Sequence, residues 1–160
     1  MSDVPRGLKH LTVWLLIGTA LFLAVQAWQD RARRSAFSAE GGVIELRRAA
    51  DGHFHWPGRV NGIEVEFLVD TGATRTALPQ ALAERAQLQA EAPAQSSTAG
   101  GVVQGHVARA DLRLAGGVHA ARLPVLVLPD LQRPLLGMDI LSRLRFTQSG
   151  GVLRLEAAGR

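Results

Sequence analysis

The longest apolar run lies near the amino terminus. Leu11 to Trp28 reads LTVWLLIGTALFLAVQAW, with no charge and with Gln26 as its one strongly polar residue. At ~1.5 Å per helical residue it reaches about 27 Å, near the hydrocarbon thickness of a bilayer. Trp14 and Trp28 fall near its two ends, where amphipathic rings favour the membrane interface. The pattern predicts one transmembrane helix over 11–28, contacting the lipid bilayer, after a leader at 1–10. Two readings compete. A core helix needs a partner sheet that the remaining chain cannot easily spare. A cleaved signal peptide could end near Val25-Gln26-Ala27, but the run is long for one, and QDRARR at 29–34 suits a membrane edge. An uncleaved single-pass anchor is the expectation. A short leader stays in the cytoplasm more easily, so the following domain is expected outside, on the periplasmic face of a bacterial inner membrane.

Small residues at 29–42 predict a linker. From Val43 the apolar period becomes two, the signature of strands. Val43 to Arg48 is a short strand, and Asp51-Gly52 signals a turn before His53 to Trp56. Arg59 to Val69 reads as a hairpin about Asn61-Gly62, the pair that favours a type I′ turn. Thr76 to Leu78 is a further strand. Pro79 to Leu88 reads as a short helix with proline near its first turn. Glu91 to Gly101 is small and polar, a mobile loop by composition. Val102 to Leu114 and Val118 to Leu128 are strands joined at Gly116-Gly117. Leu135-Leu136 ends at Gly137, and Met138 to Leu144 predicts one or two helical turns. Residues 145–148 and 152–155 form a closing hairpin. About eight short strands and two short helices over 43–157 predict one mainly β domain, a closed barrel or a sandwich.

Charge changes this picture little. The chain has 160 residues, 18 Lys+Arg and 14 Asp+Glu, a net +4. Residues 1–34 carry five basic and two acidic side chains, and residues 35–160 carry 13 and 12. The excess therefore flanks the apolar segment, and no nucleic-acid partner is expected. Without Cys, disulfide scaffolds, zinc-thiolate sites and thiol nucleophiles are excluded.

The candidate chemistry sits at Phe67-Leu68-Val69-Asp70-Thr71-Gly72-Ala73. Three apolar residues run straight into a carboxylate, and Gly72 lets the backbone turn tightly. Alone, an Asp before a turn is ordinary. Sixty-five residues after Asp70, Leu135-Leu136-Gly137 supplies a second apolar strand end followed by a short helix. With Val60-Asn61-Gly62, Thr76-Ala77-Leu78, Thr98-Ala99-Gly100-Gly101 and Leu141 to Leu144, this ordered set resembles the retropepsin-like aspartic proteases, especially a single-domain, membrane-anchored bacterial branch. The resemblance implies a closed-barrel-like retropepsin monomer behind one transmembrane helix. It implies an aspartic endopeptidase that hydrolyses peptide bonds and needs no cofactor. Asp70, Thr71 and Gly72 would be catalytic. Ala73, Thr98, Ala99, Gly100, Gly101, Leu135, Leu136 and Gly137 would contact a polypeptide substrate, under a flap at Gln95 to Gly105.

Aspartic proteolysis needs two carboxylates sharing one proton. Asp51, Asp111, Asp130 and Asp139 are not followed by Thr-Gly or Ser-Gly, so the second carboxylate must come from another copy of the chain. A homodimer with Asp70 facing Asp70 is therefore required for activity. Thr74-Arg75 replaces the acidic pair of viral members, so their end-pocket contacts do not transfer. Asp139, beside a short helix, suits a helix start better than catalysis, and Arg75 or Arg143 are its candidate partners. His53 and His55 share one strand face, but no third ligand is evident and no metal site is expected. The alternative function is a catalytically silent peptide-binding module of the same fold.

Overall fold

A computed structural model of the chain describes residues 14–26, 36–39, 42–98 and 101–157. It divides into two compact units, Met1–Arg34 and Ser35–Arg160.

In the first unit, residues 14–26 form a helix (α1). Its large apolar side chains face outward, with Trp14 71% and Leu21 64% exposed. The described part rises about 20 Å, short of the ~30 Å a bilayer core requires. Among the described residues, no helix is long and apolar enough to cross a membrane. The ends of the expected span, 11–13 and 27–28, lie outside the described residues, as does the leader at 1–10.

Among the described residues of the second unit, eleven strands and two short helices follow in order. They are β1 (Ala36–Ala39), β2 (Val43–Arg47), β3 (His55–Val60), β4 (Ile63–Val69), β5 (Ala77–Pro79), α2 (Gln80–Arg85), β6 (Ala90–Thr98), β7 (Gly101–Leu114), β8 (Val118–Leu128), β9 (Leu135–Leu136), α3 (Met138–Leu141), β10 (Leu144–Ser149) and β11 (Val152–Ala157). Six of them close a ring in the order β8-β5-β9-β4-β3-β7, with β7 pairing back onto β8. Closure removes the open sheet edges that a half-buried sheet otherwise exposes. β1 hangs on β8, β6 on β7, and β10-β11-β2 forms a separate three-stranded sheet.

The barrel is filled by Trp56, Phe67, Leu78, Leu112, Leu123, Leu136 and Ile140, all essentially without solvent contact. Trp56 is buried without penalty because its indole N–H donates to the Ala115 carbonyl at 2.9 Å. The β3–β4 hairpin has the expected turn, with φ of +47° at Asn61 and +87° at Gly62. Asn61 also ties the hairpin to its surroundings. Its amide donates to Ala86 O, and its side-chain oxygen accepts from the Asp111 N–H.

Two loop expectations are corrected. Part of the expected linker is a strand: β1 pairs antiparallel with β8, Ala36 opposite Ala121 through Ala39 opposite Val118. β8 pairs with β5 only at its other end, over Leu126 to Leu128. Its first half has open backbone groups, and β1 satisfies them without needing an apolar pattern of its own. Likewise Glu91 to Gly101 is not a loop. It is mostly β6, paired to β7 from Ala90 to Thr98. Pro93 is tolerated there because β6 is an edge strand.

Candidate active site

β4 and β9 run side by side in parallel, Leu68 opposite Leu135 and Val69 opposite Leu136. This pairing carries the chain straight into Asp70, whose N–H donates to Leu136 O at 3.0 Å. There the strand ends in a tight turn. The Gly72 N–H donates to Asp70 Oδ1 at 2.8 Å, and the Ala73 N–H closes back on Asp70 O. A Cβ on Gly72 would sit 3.2 Å from the same carboxylate oxygen, so glycine keeps that side open. Asp70 is half-buried and Thr71 exposed.

The turn is fastened from behind. The Met138 N–H donates to Ala73 O at 2.8 Å. Gly137 lies against the Arg75–Thr76 peptide so closely that a Cβ would fall 2.5–2.8 Å from three backbone atoms. Thr76 is fully buried, and among the described residues it is the one polar side chain in the core. Its N–H and its hydroxyl both donate to Asp139, at 2.9 and 2.8 Å. Its hydroxyl oxygen accepts from the Gly137 N–H at 3.3 Å. Burying a carboxylate contact and a hydroxyl is tolerable because every one of these groups is matched. Asp139 therefore clamps the loop to the strand–helix junction through Thr76, a partner the sequence did not suggest.

In front of the loop opens a cleft of about 800 Å³. One wall is the loop itself, through Asp70 and residues 72–75, with Thr71 outside the lining. The floor is aliphatic: Ala77, Leu126 and Leu128 form a small buried cluster with Leu131 and Leu135 packed on it. The other wall is β6, through Ala94, Gln95, Ser96 and Ser97. β7 begins to pair with β8 only at His106. Residues 94–98 and 101–105 pair with each other and project past the barrel. Gly105 marks the root, where a side chain would collide with the Val127 carbonyl.

The family model for the gag-polyprotein putative aspartyl protease matches residues 56–143, from β3 through α3 and beyond. The chain belongs to this aspartyl protease family. A retropepsin-like aspartic protease from Rickettsia conorii, known from its crystal structure, superposes with a TM-score of 0.57 at 26% identity. The alignment covers 76% of this chain and 96% of that one. An uncharacterized protein of Rickettsia prowazekii (strain Madrid E) is 41% identical over 49 residues. That stretch is 31% of this chain and 21% of the relative, so the match spans about a fifth of the relative's length. The closed six-strand ring and its few short helices agree with a retropepsin-like fold.

In this family member the expected site residues separate into three groups. Asp70, Gly72, Ala73 and Leu135 line the cleft. Leu136 is fully buried and Gly137 backs the Arg75–Thr76 peptide, so both hold the loop from behind rather than line the cleft. At the flap tip, Ala99 and Gly100 lie outside the described residues, as does the side chain of Thr98; Gly101 is exposed. Gln95, Ser96 and Ser97 fall in the expected flap, but the expected substrate contacts there are Thr98 to Gly101; the structure adds these three to the cleft lining. No local signal marks them, because β6 is a strand only through its ladder with β7.

The two histidines are also resolved. His55 Nε2 lies 2.9 Å from Asp51 Oδ2, and His55 Nδ1 lies 3.5 Å from Glu66. Asp51 also accepts the His53 N–H, which with the His55 contact holds its carboxyl below the ordinary value. Among the described residues, no three His, Cys, Asp or Glu side chains have a metal-ligating arrangement.

Proposed function

We propose that the chain is a membrane-tethered aspartic endopeptidase that works as a homodimer. The observation that carries this reading is Asp70. It stands at the open end of β4, with an oxygen fixed by Gly72, at the wall of a peptide-sized cleft. One such carboxylate cannot both activate water and protonate a carbonyl. Two copies facing each other across a twofold axis can.

In that dimer the pair shares one proton, since two like charges so close do not both ionise. The ionised carboxylate removes a proton from a water held between them, and the water oxygen attacks the scissile carbonyl carbon. The protonated carboxylate donates to the carbonyl oxygen. When the tetrahedral species collapses, the C–N bond breaks and the leaving nitrogen takes the proton that the carboxylate had removed from the water. Gly72 orients the carboxylate. Thr71, exposed and without a hydrogen bond among the described residues, has its hydroxyl available to lock the two loops together. The substrate lies extended between the loop and β6, and the β6–β7 hairpin closes over it.

Residues 11–28 tether the chain to a bacterial inner membrane, with the protease domain in the periplasm. Tethering raises the local concentration of protomers and favours a weak dimer. A reporter enzyme active only outside the cytoplasm, fused to the carboxyl terminus, should be active; an inactive but intact fusion reverses the orientation.

The decisive experiment incubates the full chain in detergent with a mixed peptide library over a pH series. Wild type should cleave, with an acid-side optimum, and a statine-type transition-state mimic should block it. Asp70→Asn should stay folded and lose at least about 1,000-fold in kcat. Unchanged cleavage by Asp70→Asn refutes the assignment. Stable complexes with uncleaved peptide in the wild type favour a silent binding module.

A further inference from the structure

Arg75 carries a second reading of the cleft, and it rests on the peptidase assignment above. Of the residues lining the cleft, only Asp70 and Arg75 bear a charge. Asp70 is committed to the catalytic pair. Arg75 is exposed, and its guanidinium enters no ion pair or hydrogen bond among the described residues. Two arginines on the barrel strands are instead ion-paired: Arg59 with Glu64 at 2.7 Å, Arg109 with Glu91 at 3.0 Å.

The backbone of Arg75 is nevertheless held firmly. Its carbonyl abuts Gly137, and the next residue, Thr76, is clamped by Asp139. A fixed backbone with an unpaired guanidinium beside a half-enclosed groove is a cation waiting for an anion. Guanidinium is weakly hydrated and matches a carboxylate with two parallel N–H donors, so it recognises the group at small desolvation cost. The floor beside it, Ala77, Leu126, Leu128 and Leu135, is purely aliphatic.

We infer that Arg75 is a specificity-determining residue, selecting substrates with a Glu or Asp side chain close to the cleaved bond, next to an aliphatic side chain seated on the floor. The side chains of an extended peptide alternate in direction. The acidic and aliphatic residues are therefore recognised by different walls of the same groove.

The test starts from any peptide the wild type cleaves. Glu, Gln or Lys is placed in turn at each of three positions on either side of the cleaved bond, and kcat/KM is measured with the full chain. At one position or more, Glu should exceed Lys by about tenfold, the scale of one partly exposed charge-assisted contact. Arg75→Ala should erase that ratio while still cleaving the Gln peptides, and Arg75→Glu should reverse it. The ratio should shrink with added salt. It should also fade as the pH drops below about 4.3, where a glutamate loses its charge. The same peptides are bound to Asp70→Asn, which reads preference without turnover.

Equal Glu and Lys rates in the wild type overturn the inference and leave the peptidase standing. No cleavage of any peptide removes the peptidase assignment, and the binding arm then decides Arg75 alone: a Glu preference that Arg75→Ala abolishes supports it, and equal affinities overturn it. A change in the dimerisation constant of Arg75→Ala, with the Glu/Lys ratio intact, overturns it in favour of an interface role.

Discussion

The two walls of the cleft are built on opposite terms. The loop wall, 70–76, is tied down by a parallel strand pair, a glycine that admits no side chain, and a buried threonine held at both its donors. The hairpin wall, 94–105, is held by one ladder and by Ala94 and Val103 resting on the aliphatic floor, and Val102 near its tip is 63% exposed. Under the proposed function, the difference follows from what each wall would have to do. A reacting carboxylate gains its advantage only if it is held to within a fraction of an ångström. A lid must open to admit a polypeptide, so it is drawn from the weakly packed parts of a fold.

Gly137 should show the contrast most strongly. In Gly137→Ala the new Cβ would meet the backbone of Arg75 and Thr76, which cannot rotate away as a side chain can. The expected cost is about 3 kcal/mol of stability, with peptidase activity reduced at least about 100-fold because the loop itself must shift. Val102→Ser, on the other wall, should change stability by less than about 0.5 kcal/mol and raise KM severalfold if the hairpin closes over substrate as proposed. Urea midpoints and kcat/KM on the same samples, at one protomer concentration, check both. Equal midpoint shifts would show that the two walls are not held differently.

Asp139 comes next. Asp139→Ala strands the buried N–H and hydroxyl of Thr76, a loss of about 2–4 kcal/mol. Asp139→Asn keeps an oxygen for one of those donors and should lose roughly half as much. If the clamp positions the loop, Asp139→Asn also lowers kcat more than it raises KM, while the pH optimum stays where it is. A shifted optimum would instead make Asp139 an ionising participant in the reaction.

Much of the loop wall could be read from the chain, and little of the hairpin wall. Phe67-Leu68-Val69-Asp70 and Leu135-Leu136-Gly137 are legible because a buried strand that stops at a polar turn leaves a local mark. Asn61-Gly62 is legible for the same reason, since its turn demands positive φ. β1 and β6 were misread because neither has an apolar rhythm; each exists through backbone pairing to a neighbour far away in sequence. Small polar residues permit a strand without announcing one. The Thr76–Asp139 clamp joins residues 63 apart. Nothing local distinguishes that aspartate from one that merely begins a helix.

The smallest expected effect belongs to the exposed ion cluster under the loop wall. Asp51 contacts His55 at 2.9 Å and Arg133 at 3.5 Å, just ahead of β9. Its carboxyl is held below the ordinary value of 3.8, chiefly by the His53 N–H and then by His55. A carboxyl depressed in the folded state stabilises that state above its unfolded value. The contribution is lost as pH falls through the folded one, so the window opens near 3.8 and extends downward. Asp51→Asn should therefore lower the urea midpoint slightly at pH 7, and the gap from wild type should close toward pH 2–3. Because Asp51 is open to solvent, salt should narrow the gap at pH 7 as well. The part-buried clamp between Asp139 and Thr76 should be less sensitive to salt. A gap at Asp51 as large and as salt-resistant as that at Asp139 would mean that solvent exposure does not rank the supports of this wall.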